Sequence, residues 1–171
     1  VILVDGDDAW RVADELKARH IAVIVTGMLG MPPRRSDEYD MNFALPSKLA
    51  AAGVQFCIAD DGRNFGNPDP SNARNLPYSA AMAAAFGLSR EDALKSVTLW
   101  PAQILGVADQ LGSIEVGKSA DFMVTDGDPL EVTTHVEQVW IAGEAVSLET
   151  RHTRLFHQFE QKPRGPNARE R

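Results

Sequence analysis

Among 171 residues there is a single cysteine, Cys57, which excludes an internal disulfide and leaves no second thiolate for a zinc or redox pair. Basic residues are also in short supply: 17 Lys and Arg face 24 Asp and Glu, a formal charge of −7. Nucleic-acid backbones and anionic membranes are gripped by clustered Lys and Arg, so neither is expected as a partner. Long apolar runs are absent, since stretches such as Ile21 to Val25 fall far below the ~20 residues of a membrane helix. No basic segment followed by an apolar one opens the chain, so no export signal is visible in it. There is no Gly-x-Ser-x-Gly elbow either, which argues against a serine hydrolase.

Histidine is scarce and poorly spaced for a metal. His152 and His157 are five apart, roughly 140° around a helix, whereas two rings that share an ion sit at i and i+4. His20 is expected at a helix end and His135 at a turn, and all four His at the surface. The oxygen-rich run from Asp60 to Asp69 fails as a calcium loop, because Arg63 and Phe65 fall where oxygen ligands would alternate.

The first 60 residues alternate strands and helices. Val1 to Val4, Ile21 to Val25 and Val54 to Ala59 are β-rich apolar runs of the kind found in buried parallel strands. Between them the spacing predicts a helix over Ala9 to Arg19, with Asp7 or Asp8 as N-cap, and another over Pro46 to Ala52 closed by Gly53. The connections leaving these strands are long and polar while the returns are tight, the asymmetry of parallel folds that carry sites at strand carboxyl ends. Three helices are then expected: Pro77 to Phe86, one opened by a capping box at Ser89, and one beginning at Trp100-Pro101. From Leu111 onward, glycine-punctuated short runs predict a second, β-rich module with strands in Ala120 to Thr125 and Val136 to Ala142. The stretch from about Gln158 to Arg171 is expected to be a polar, mobile tail. Because Val1 already opens a strand-like run and is not Met, the chain reads as starting inside a fold, whether as a processed product, an engineered truncation or an interrupted gene.

Several of these segments carry a family pattern. Asn75-Leu76-Pro77-Tyr78-Ser79-Ala80-Ala81, Gly87-Leu88-Ser89, Thr98-Leu99-Trp100-Pro101-Ala102 and Gly112-Ser113-Ile114-Glu115-Val116-Gly117-Lys118-Ser119-Ala120-Asp121-Phe122 occur in that order. Together they resemble the C-terminal part of metal-dependent amidohydrolases, imidazolonepropionase-like members above all. The resemblance implies an α/β fold in which residues 1–110 are part of a TIM-type (β/α)8 barrel, strands six to eight with their helices. Residues 111–150 would form a small β-sandwich segment and 151–171 a C-terminal extension. A full barrel of this kind takes ~250 residues, so the first five strands and their His-x-His pair would lie outside this chain.

The resemblance also implies site residues. Setting the third strand against the family's strand eight puts Asp61 on the conventional metal-binding and catalytic Asp, with Asp60 as second choice. A metal that activates water, zinc in the complete fold, and an Asp that takes the proton are the family's chemistry. Arg63 and Arg74, with Arg34 and Arg35, lie in loops on the same side and are candidates to hold a substrate carboxylate, though solvated loop positions are the plainer explanation. Where the family often has a metal-binding His after strand six, this chain has Asp5, a substitute oxygen ligand or simply a loop residue or helix cap.

Two functional readings of different class follow. In one, the chain is part of a hydrolase of C–N or related ester and lactone bonds on a small-molecule substrate, active when the missing N-terminal barrel half is supplied. In the other it is an inactive module that covers its open sheet edges as a homo-oligomer. A promiscuous esterase-like hydrolase with a site rebuilt at an interface is a third.

Overall fold

A computed structural model describes residues 1–32, 34–60, 63–64, 67–68 and 70–160, with the backbone alone at 63–64, 67–68 and 70–72. Its first unit is a parallel three-stranded sheet in the order β1 (Ile2–Val4), β2 (Ala22–Val25), β3 (Phe56–Ile58). The register pairs Leu3 with Val23 and Val23 with Phe56. Period-2 alternation therefore puts these three side chains on one face, and Val23 and Phe56 are fully buried there.

The helices explain that burial. A 3-10 turn over Ala9–Val12, which buries Ala9, leads into α1 (Ala13–Ala18), which presents Ala13 and Leu16 to the core. Neither Asp7 nor Asp8 caps it as expected; Asp8 flanks the turn but its carboxylate is committed elsewhere. Helix α2 (Met41–Ala52) starts five residues before the expected Pro46 and carries that proline inside. Proline usually marks a first turn, but here burial of Met41 and Leu45 holds the preceding turn onto the core. Gly53 closes α2 with a left-handed backbone (φ 72°), a conformation that costs a side-chain-bearing residue energy.

Helices α3 (Leu76–Ala85), α4 (Arg90–Ser96) and α5 (Leu99–Ile104) follow. Ala80 and Ala83 are completely buried, so α3 packs closely, as its small residues imply. Ser89 caps α4 through the Asp92 N–H at 3.0 Å. Trp100 meets Phe56 edge-on with ring centroids 5.0 Å apart, joining α5 to β3. A two-residue antiparallel pair, β4 (Arg63–Asn64) with β5 (Asn67–Pro68), lies between β3 and α3 in sequence.

The remaining sheet is antiparallel: β6 (Phe122–Thr125), β7 (Val136–Ile141) and β8 (Glu144–Val146). The hairpin between β7 and β8 turns at Ala142 and Gly143, both with positive φ, the geometry of tight hairpin loops. Helix α6 (Arg151–Glu160) follows. It takes in Gln158 to Glu160, which were expected to begin the mobile tail; the rest of that tail lies outside the described residues. Thr150 and Thr153 start α6 with a reciprocal cap, each hydroxyl accepting the other's backbone N–H at 3.1 and 2.8 Å.

No helix among the described residues is long and apolar enough to cross a membrane.

Candidate functional site

The carboxyl ends of β1, β2 and β3 place Asp5, Thr26 and Asp60 at one end of the sheet, each one or two residues beyond its strand. Asp5 has φ 66°, and its N–H donates to the Ile24 carbonyl at 3.1 Å, continuing the ladder one step past β1. The Thr26 hydroxyl, buried, donates to the Asp5 carboxylate at 2.5 Å. Two strand ends are thus tied by a charge-assisted hydrogen bond. On the next strand, the Ala59 N–H donates to the Val25 carbonyl at 2.9 Å, so Asp60 leaves a sheet that is still paired at that level.

A carboxylate-rich shoulder adjoins this end. Arg34, from the β2–α2 connection, forks onto Asp8 with donors at 3.1 and 2.5 Å, and lies 3.8 Å from the nearly buried Asp37. Arg11 adds a bond to Asp8 at 3.1 Å. These donors hold the Asp8 carboxyl down to about 2. Asp7 moves the other way: burial, then the charges of Asp5 and Asp8, raise its pKa despite Arg34. Asp5, Asp7 and Asp8 line an open depression of about 450 Å³.

The expected site residues are met unevenly. Asp60 stands half-buried directly after β3 and its Ala59 neighbour. Asp61 lies outside the described residues. Arg63 falls in β4, where the backbone alone is described, and Arg74 is exposed in a 3-10 turn over Pro70–Asn75. Arg34, one of the loop arginines considered for a substrate carboxylate, is instead bound to the protein's own Asp8. The Asp5–Thr26 and Asp8–Arg34 pairs escaped the sequence reading. Their only signal is that Asp5 and Thr26 each directly follow a strand of adjacent register.

The histidines do not approach this end. His20 precedes β2 at its amino end, His135 bonds Asp126 at 3.0 Å, and His157 faces Glu160 at 3.6 Å on α6. Among the described residues no three His, Cys, Asp or Glu side chains stand where they could share an ion. The described strand-end donors are carboxylates, of which Asp5 and Asp8 are already engaged, and they do not fit a complete divalent-metal site. Cys57 is buried in β3, and burial pushes its thiol up to about 11, the inert rather than the reactive condition.

The motif segment from Gly112 to Asp121 is structural. Gly112 has φ 92°, and a Cβ there would come within 2.7 Å of the Ala102 side chain and 2.9 Å of the Thr98 carbonyl. Lys118 donates to Ser113 at 2.6 Å and to Glu115 at 3.2 Å. Asp121 accepts the Ala142 N–H at 2.6 Å, pinning the β7–β8 hairpin to the start of β6.

Comparison with known proteins agrees with this architecture. An imidazolonepropionase of Syntrophobacter fumaroxidans is 30% identical over 118 residues, 67% of this chain and 27% of that protein. The amidohydrolase tasK of Hapsidospora irregularis is 45% identical over 74 residues, 43% of this chain and 8% of its own length. An amidohydrolase from Thermotoga maritima superposes with a TM-score of 0.69 at 32% identity, over 85% of this chain and 36% of that one. The chain therefore spans about a quarter or less of these two curated relatives. Residues 9–147 match the model of the amidohydrolase family, and the chain belongs to that family.

Proposed function

We propose that this chain forms the C-terminal part of a hydrolase that breaks C–N bonds of small molecules, with β1, β2 and β3 as barrel strands six, seven and eight. On this reading residues 1–110 are barrel, 111–150 a β-sandwich segment and 151–171 an extension. One observation carries it: three parallel strands in sequential order, the second and third of them within the family match, present acidic and hydroxyl side chains at their carboxyl ends. That is the end where barrels of this type hold their sites.

Asp61 is the proposed general base and carboxylate ligand, with Asp60 next to it as the alternate. The carboxylate takes a proton from the attacking water, and the resulting acid delivers it to the nitrogen as the C–N bond breaks. Arg63 and Arg74 are proposed to orient a substrate carboxylate. The divalent metal general in this family would draw its remaining ligands from strands that this chain does not contain.

The test is a segment exchange. Residues 1–147 of this chain replace the corresponding segment of the Thermotoga maritima amidohydrolase, and turnover is measured on a panel of linear and cyclic amides. Amide hydrolysis by the folded chimera supports the reading. A folded, inactive chimera, or one that hydrolyses model esters alone, overturns it.

A further inference from the structure

The connection leaving β2 carries apolar side chains in the open at the carboxyl end of the sheet. Met28 is buried in the core that also holds Val25 and Ile58. Its neighbours on the same turn are not: Leu29 is 53% and Met31 86% exposed. The Gly30 N–H donates to the Gly27 carbonyl at 2.8 Å, and Gly27 has φ 63°, so the chain reverses here as a tight turn. Leu29 lies three residues beyond Thr26, whose hydroxyl holds Asp5. That spacing keeps it within ~11 Å of the end of the strand.

Hydrogen bonds to the backbone hold these side chains out. Asn42, in the first turn of α2, donates from Nδ2 to the carbonyls of Gly30 at 3.2 Å and Met31 at 3.5 Å. The two carbonyls fix which way the amide points, and they leave Asn42 Oδ1 buried without a donor. A buried acceptor with no partner works against folding, so the turn is kept at this rim despite a local cost. Charge is not what it displays. Arg34, the cation nearest Met31 in sequence, is bound to Asp8 and Asp37. A single exposed apolar side chain needs no explanation. Two on one pinned turn, at the end of the sheet where barrels of this type hold their sites, form a surface.

We infer, resting on the hydrolase reading of that end, that Leu29 and Met31 form an apolar wall of the substrate site, and that the substrate brings an uncharged aryl or branched alkyl group against it. The unbranched thioether of Met31 adapts to rings as well as chains, and Leu29 adds a branched methyl surface. A charged group placed there would lose water with no partner in exchange. The carboxylate assigned to Arg63 and Arg74 belongs to the connection leaving β3, so the apolar and anionic ends of one substrate meet different loops.

Binding and turnover test this separately. The 171-residue chain, labelled at its methionine methyls, is titrated with N-benzylacetamide and with N-methylacetamide. The Met31 methyl resonance is expected to move with the first probe only, and to stop moving in Leu29→Ser. No movement, equal movement with both probes, or movement with protein concentration alone, which would give the turn a second copy of the chain, overturns the inference. In the Thermotoga maritima chimera, joint Leu29→Ser and Met31→Ser substitution is expected to lower kcat/KM about tenfold on N-benzylacetamide and to leave N-methylacetamide within about twofold. Both residues are exposed, so the variants are expected to keep the far-UV circular dichroism of the parent. An equal loss on both amides, or none on either, overturns the wall and leaves the hydrolase reading standing. A folded chimera that turns over neither amide nor any other on the panel overturns the hydrolase reading, and the Met31 titration still decides whether the turn binds an apolar group.

Discussion

The hydroxyl of Thr26 donates to the carboxylate of Asp5 at 2.5 Å, across the ends of two neighbouring parallel strands. Thr26 is buried while Asp5 is exposed and held at positive φ. The bond therefore fixes the direction in which the chain leaves β1, and with it the loop carrying Asp7 and Asp8. Replacing Thr26 with Val keeps the shape and removes the donor. A loss of about 1–3 kcal/mol is expected, with Thr26→Ser recovering most of it, as read by urea denaturation.

Asp8 and Arg34 predict an acid limit. The folded chain holds the Asp8 carboxyl at about 2, below its ordinary 3.8, chiefly through hydrogen bonds from Arg34. A depressed folded-state pKa contributes stability that is fully present above the ordinary value and is lost as pH falls through about 2. Asp7 has the opposite sign: its raised pKa means a burden present at neutral pH and relieved as it gains a proton. Asp8→Asn should flatten the first of these dependences, and Asp7→Asn should raise stability at neutral pH. Carboxyl-carbon NMR titration of the two side chains checks both directions.

Gly112 is predicted to tolerate no side chain. Its positive φ and the approach of Ala102 and the Thr98 carbonyl combine strain with overlap against backbone, so Gly112→Ala should cost about 1–3 kcal/mol. Gly117→Ala, with a similar φ of 97° but nothing within 4 Å, should cost less. The difference between the two thermal midpoints isolates the steric part.

Leu49 is fully buried where α2 meets the sheet. Leu49→Ala is expected to lose about 2–5 kcal/mol, whereas truncation of Leu105, 63% exposed, should stay within about 0.5 kcal/mol. Chemical denaturation separates them.

The strands and most helices were legible because their signals are local: β-branched runs at Val1–Val4 and Ile21–Val25, Gly53 as a left-handed stop, Ser89 as a cap. Helix α2 began earlier than its proline suggests because Met41 and Leu45 find a core that only the folded chain reveals. The short β8 and helix α6 were missed for a related reason. Glu144–Val146 is too short for a periodic signal and is specified by pairing with β7, and α6 sits in a stretch whose composition is polar. Asp60, second choice after Asp61 when the third strand is set against the family's strand eight, does follow β3; its position was legible because the strand's apolar run is local. The Thr26–Asp5 and Arg34–Asp8 pairs join residues 21 and 26 positions apart, and no local pattern encodes a contact made across two loops. The Gly112-to-Asp121 motif was legible as a family marker, while its physical content, a glycine against α5 and an aspartate holding a hairpin, needed the fold.

The role proposed for the carboxylate following β3 is the proton transfer of C–N hydrolysis. Its most direct measurement is the turnover number of the Thermotoga maritima chimera carrying Asp61→Asn, beside the same protein carrying Asp60→Asn. A loss of roughly 10²–10⁴-fold in kcat is expected for Asp61→Asn with the fold intact, and a smaller loss for Asp60→Asn. Full turnover in both variants would contradict it.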